Sequence, residues 1–92
     1  MKVEDARVGM RVRYIGEECD YGPKSKQTGT IMSVGDEDDE VSVEFDKPFP
    51  EGHKCAGECK NKCGYWFYPP NDACTQNDNL DNIILEYKWK KL

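Results

Sequence analysis

The chain has no apolar run approaching the 18–20 residues that a membrane-spanning helix needs, so nothing in it reads as a helical membrane anchor. Its first residues, Met1-Lys2-Val3-Glu4-Asp5, lack the apolar region of a secretory signal. A cytoplasmic location follows as the expectation, and with it reduced cysteines. There is no internal repeat and no long amphipathic helical pattern, which sets helix bundles and solenoids aside. There is one histidine, His53. If it binds a metal, no second imidazole remains to move protons, so a catalytic zinc centre is disfavoured. There is no Cys-x-x-Cys pair, and the cysteine count of 5 is odd for a disulfide scaffold.

What is present suits one small domain spanning the whole chain. Ninety-two residues bury only about 60–65% of their unfolded surface, so a staple such as a metal site would help. Aromatics make up 11% of the chain, which argues against disorder. Net charge is −5 and uneven. Residues 1–46 carry six Lys/Arg against twelve Asp/Glu, a balance of −6, and residues 47–92 carry seven against six, a balance of +1. The acidic half repels phosphate and disfavours general duplex binding. An acidic balance also serves plain solubility.

Short runs with period two predict strands. Met10, Val12 and Tyr14 alternate with Arg11 and Arg13, and residues 29–34 form a second run. Val41, Val43 and Phe45 share one face of a third. Between the second and third lies Asp36-Glu37-Asp38-Asp39-Glu40, a polar turn that closes a hairpin. Residues 65–68 (Tyr65-Trp66-Phe67-Tyr68) make a fourth strand, stopped by Pro69-Pro70. Leu80, Ile83, Ile84, Leu85 and Tyr87 mark a last turn and strand. The expected core is Val12, Tyr14, Ile31, Val43, Phe45 and Ile84. Gly16, Gly22, Pro23 and Ser25 make residues 16–28 a long excursion, from which Tyr21 is expected to fold back. An irregular insert occupies residues 69–80, and Lys88-Trp89-Lys90-Lys91 gives residues 88–92 the character of a basic tail.

These motifs carry a resemblance. Val8-Gly9-Met10-Arg11-Val12, Thr28-Gly29-Thr30-Ile31, Val41-Ser42-Val43-Glu44-Phe45-Asp46 and Trp66-Phe67-Tyr68-Pro69 look like SH3-like barrels of the KOW/Tudor kind. The chain is similar to small uncharacterised proteins of phages and bacteria that carry a Gly-His-x-Cys segment before a Gly-x-Trp strand. Here those are Gly52-His53-Lys54-Cys55 and Gly64-Tyr65-Trp66. The likeness spans residues 7–87, and the chain departs from it at 71–79 and in its tail. It implies an all-β fold: a small SH3-like barrel of about five strands, with a long Cys-rich loop between strands three and four. For a phage protein, the expected location becomes the host cytoplasm.

That loop, residues 47–64, holds His53, Cys55, Cys59 and Cys63, with Cys74 following as a substitute ligand. Three thiols and an imidazole suit a closed tetrahedral zinc site. Glycines allow the loop to double back, and Lys54, Lys60 and Lys62 offset the charge of three thiolates. Free thiols, or a disulfide among neighbours, are the competing readings. A Cys55–His53 nucleophile pair lacks an orienting shell, and Cys19 reads as a free surface thiol. The acidic turn lacks the ligand spacing of an EF-hand. On a strand, Tyr65 and Phe67 point one way and Trp66 and Tyr68 the other, so a barrel leaves one pair outside, free to bind or to be covered by the tail.

The expected function is a non-enzymatic, zinc-binding interaction module, monomeric and without a membrane partner. A protein partner would meet Asp36, Glu37, Asp38, Asp39, Glu40, Trp66 and Tyr68. The alternative is a KOW-like nucleic-acid-binding barrel using the tail and Lys54, Lys60 and Lys62. A zinc- or thiol-dependent enzyme comes third.

Overall fold

Alternation along the chain becomes alternation of burial. The computed structural model describes residues 1–16, 22–35, 40–69 and 79–86. Five strands form a single antiparallel sheet: β1 (Arg11–Tyr14), β2 (Thr28–Val34), β3 (Val41–Phe45), β4 (Gly64–Phe67) and β5 (Ile83–Leu85), in the order β4-β3-β2-β1-β5. Along β1, Val12 and Tyr14 are buried while Arg11 and Arg13 are half-exposed. β-Branched and aromatic residues fill these strands because their side chains pack well on a pleated surface. Among the described residues the only helices are single 3₁₀ turns, at Val3–Asp5, Cys55–Gly57 and Leu80–Asn82. None is long and apolar enough to cross a membrane.

The first four strands follow one another across the sheet, and β5 returns beside β1, with Tyr14 opposite Ile83 and Val12 opposite Leu85. β2 and β3 pair from Gly29↔Phe45 to Val34↔Val41, with a shift in register between Ile31 and Ser33. Their hairpin closes where the Gly35 N–H donates to the Glu40 carbonyl at 2.7 Å. The edge strands β4 and β5 are drawn together at one point. Tyr68 bridges Asn79, and the Leu80 N–H donates to the Tyr68 carbonyl at 2.7 Å.

The core lies on the inward faces. Tyr14, Phe45 and Phe67 are fully buried, and their ring centroids stand 6.2–6.5 Å apart. Val12, Ile31, Val41, Val43, Leu80 and Ile83 surround them. Phe49, from the chain after β3, packs edge-on against both Phe45 and Tyr65 at 5.7 Å. Burying each large apolar side chain stabilises by about 1.5–3 kcal/mol. One expected core residue is displaced: Ile83 is fully buried, whereas Ile84 is exposed. The 3₁₀ turn at Leu80–Asn82 sets this phase, because the Ile15 N–H donates to the Asn82 carbonyl at 2.7 Å and starts the β1–β5 ladder there.

On the outward face of β1, Arg11 lies beside Thr30, to whose hydroxyl it donates at 2.9 Å. Its guanidinium also grips Asp46 with two hydrogen bonds, at 2.9 and 2.6 Å, and approaches Glu86 at 3.5 Å. This ties β1, β2, the end of β3 and the end of β5 on one face.

Candidate functional site

The connection from Asp46 to Cys63 is long for a small domain, and its backbone accounts for its order. It runs out and comes back alongside itself. The Phe49 N–H donates to the Lys62 carbonyl at 2.9 Å, and His53 and Gly64 exchange both backbone hydrogen bonds at 3.0 and 2.8 Å. At its far end, residues 54–59 form a closed turn in which the Lys54 carbonyl accepts from the N–H groups of both Gly57 and Cys59, each at 2.9 Å. Three successive residues there have positive φ: Cys55 (47°), Ala56 (56°) and Gly57 (97°). Gly57 takes this at no steric cost, whereas the two residues with a Cβ each oppose it by about 1–2 kcal/mol. The surrounding hydrogen bonds hold them, including one from the Cys55 N–H to His53 Nδ1 at 3.0 Å.

This turn lays Cys55 and Cys59 over the outward face of β3 and β4. Both are buried, at 1% and 8% exposure. Beneath them sits Gly64, the one position of β4 where no side chain fits. A Cβ there would stand 2.7 Å from Cys55 Sγ and 2.6 Å from the Cys59 Cβ. Ser42 lies beside them, fully buried on what would otherwise be the solvent face of β3. Its hydroxyl shares a 2.6 Å hydrogen bond with Ser33 of β2 and also bonds Cys59, which in turn bonds Cys55. Ser33, Ser42, Cys59 and Cys55 thus form one polar chain, buried from Ser42 onward and half-buried at Ser33. No buried side-chain N or O atom among the described residues lacks a partner.

Burial raises the pKa of both thiols. For Cys55 the next causes are the neighbouring Cys59, then Glu58 and Glu40. For Cys59, hydrogen bonds from Cys55 and Ser42 pull the other way and so favour its thiolate, while Glu44 and Glu58 add to the rise. The resting pair is therefore neutral, which suits a dry site.

Of the four residues read as zinc ligands, the fold brings together two. Cys63 is also buried, but the Phe45 N–H donates to its carbonyl, one step before Gly64. It thus falls in phase with inward Tyr65 and Phe67, not with outward Gly64 and Trp66. His53 is half-exposed, with Nδ1 already accepting from the backbone. Among the described residues no group of three or more His, Cys, Asp or Glu side chains could hold a metal ion. Cys19 and Cys74 lie outside the described residues.

The aromatic strand resolves as well. Phe67 is fully buried and Tyr65 packs on the core, so Trp66 and Tyr68 are the outward pair, each half-exposed. Val41 pairs with Phe67, which brings Glu40, the residue before Val41, to the level of Tyr68. Asp36, Glu37, Asp38 and Asp39 lie outside the described residues, as do Tyr21 and the tail. Sequence reasoning passed over Ser33 and Ser42, and took Gly64 for loop freedom and for the Gly-x-Trp motif, not for the space it leaves beneath the thiols. Their only signal is that small residues recur on outward positions of neighbouring strands, where a covering segment can approach.

No family model, curated protein or solved structure matches this chain.

Proposed function

We propose that this protein is a non-enzymatic interaction module on an SH3-like barrel, and that it takes a basic protein partner where the acidic hairpin end adjoins Trp66 and Tyr68. Three features support the barrel reading: the strand order β4-β3-β2-β1-β5, the long connection between β1 and β2, and the 3₁₀ turn directly ahead of β5. The register Val41↔Phe67 carries the binding reading. It sets Glu40, the last of five successive acids in the sequence, level with Tyr68, two residues along the chain from Trp66, and both rings are half-exposed. Lysine or arginine side chains fit such a surface twice over. Carboxylates speed their approach, and ring faces attract cations at short range.

A second reading, nucleic-acid binding, draws on a different place. Lys24, Lys26 and Lys47 line a cleft of about 440 Å³ between the β1–β2 and β3–β4 connections. Calorimetric titration with a Lys/Arg-rich peptide and with duplex DNA separates the two. The expected result is peptide binding that weakens as salt rises and falls about tenfold or more in Trp66→Ala, the loss typical of an aromatic anchor. Neutralising Asp36, Glu37, Asp38 and Asp39 together should slow peptide association and leave the fold unchanged. DNA binding at physiological salt, strengthened by that neutralisation and with no affinity for the peptide, would reverse the order of the two readings.

A further inference from the structure

We propose that Cys55 and Cys59 are an oxidative modification site, a dithiol that peroxide closes to a disulfide, with Cys59 attacking and Cys55 resolving. The proposal is independent of the partner surface. It rests first on proximity. The turn closed by Cys59 N–H to Lys54 C=O brings both thiols to one point above Gly64, and the two are already hydrogen-bonded. A disulfide needs its Cβ atoms about 3.5–4.5 Å apart, a separation the backbone sets, and the turn brings Cys55 Sγ and Cys59 Cβ to within 2.7 and 2.6 Å of one and the same point above Gly64.

It rests second on what the hydrogen bonds do to the two thiols. Burial raises the Cys59 pKa, and hydrogen bonding with Cys55 and Ser42 opposes that rise. The same hydrogen bond adds to the rise at Cys55, so of the two thiols Cys59 is the one whose thiolate is less disfavoured, with the Cys55 sulfur beside it. It rests third on exclusion: Cys63 is in phase with the inward side chains of β4, so the fold offers Cys59 one partner among the described residues. Finally, a disulfide is neutral and occupies the dry site without a buried charge.

The chemistry balances. The Cys59 thiolate attacks one peroxide oxygen; the S–O bond forms, the O–O bond breaks, and hydroxide leaves to take up a proton as water. Cys55 sulfur then attacks the Cys59 sulfenic acid; the S–S bond forms, the S–O bond breaks, and a second water leaves. Two thiol hydrogens and two electrons have passed to the peroxide. Burial at 1% and 8% exposure makes the reaction slower than that of a free cysteine. Ser42 acts as a positioning residue, through Cys59.

The test is a thiol map of the full reduced chain after hydrogen peroxide and alkylation. Trypsin cuts after Lys54 and Lys60, so one peptide, 55–60, holds both cysteines, and its disulfide reads as the loss of two hydrogens. That loss should be the first product, reversed by dithiothreitol and unchanged in Cys63→Ser. In Cys55→Ser, Cys59 should stop at a sulfenic acid that dimedone traps. Ser42→Ala should move the rate-against-pH curve for sulfenic acid formation to higher pH without changing which cysteines pair. A first cross-link to Cys63, Cys19 or Cys74 would overturn the proposal. So would full alkylation of peptide 55–60 under peroxide that oxidises a free-cysteine peptide, or one equivalent of zinc that blocks all reaction at 55–60. The wild-type map decides even if a variant fails to fold.

Discussion

Asp46 follows β3 directly, and its carboxylate accepts from both terminal nitrogens of the Arg11 guanidinium and, at 2.8 Å, from the Thr28 hydroxyl. The Arg11 hydrogen bonds, foremost, hold its pKa below the ordinary 3.8. The sign follows. Above 3.8 the carboxylate is ionised whether the chain is folded or not, and the pair stabilises the fold in full. As pH falls from 3.8 through the lowered value, the unfolded chain takes up its proton first and the contribution is lost. Both partners are more than a third open to solvent, so the pair is worth at most about 1 kcal/mol. Asp46→Asn should therefore lower stability slightly at neutral pH. The gap between variant and wild type should close as denaturation is repeated down through pH 3.8 and below. A gap independent of pH would assign the loss to the hydrogen-bond geometry and not to charge.

At the scale of one element, β5 makes the clearest case. It has three residues, and of these only Ile83 is buried. Period-two reasoning marks Ile83 and Ile84 as opposed but leaves open which of them enters the core. The turn at Leu80–Asn82 decides, because it delivers the chain to β1 with Ile83 opposite Tyr14. Ile83→Ala should cost about 2–5 kcal/mol, the range for a buried isoleucine. Ile84→Ala should cost under about 0.5 kcal/mol, as surface changes do. Chemical denaturation of the two variants measures both, and equal losses would show that the strand carries no preferred phase. The connection between β3 and β4 teaches a similar lesson. Its cysteines look equivalent in spacing, yet the turn at residues 54–59 sends Cys55 and Cys59 to the outward face while Cys63 enters the inward phase of β4.

At the scale of the whole molecule, the chain just past β4 meets the chain just ahead of β5 where Tyr68 bridges Asn79. Leu80 is fully buried, and its N–H donates to the carbonyl of Tyr68, the first residue past β4. It holds β4 and β5 together although they sit at opposite ends of the sheet order. Leu80→Ala should cost about 2–5 kcal/mol. Amide exchange should quicken at Phe67 and Ile83 together, since one contact pins both edges. Faster exchange confined to β5 would mean that β4 does not depend on this contact.

What the sequence by itself determined is local. Period two marks the five strands, turn residues mark their ends, and the composition of the hairpin tip places its acids together, because these signals need only neighbours along the chain. Alternation also pairs Tyr65 with Phe67 and Trp66 with Tyr68. Only the tertiary structure decided which pair faces the core, which isoleucine of β5 is buried, and which two cysteines meet. Those outcomes depend on the phase at which separate segments arrive, and a shift of one residue exchanges every face. Ser42 shows the limit most plainly. In Val41-Ser42-Val43 it reads as a solvent-facing position, and it is buried because a segment more than ten residues away in sequence folds over it.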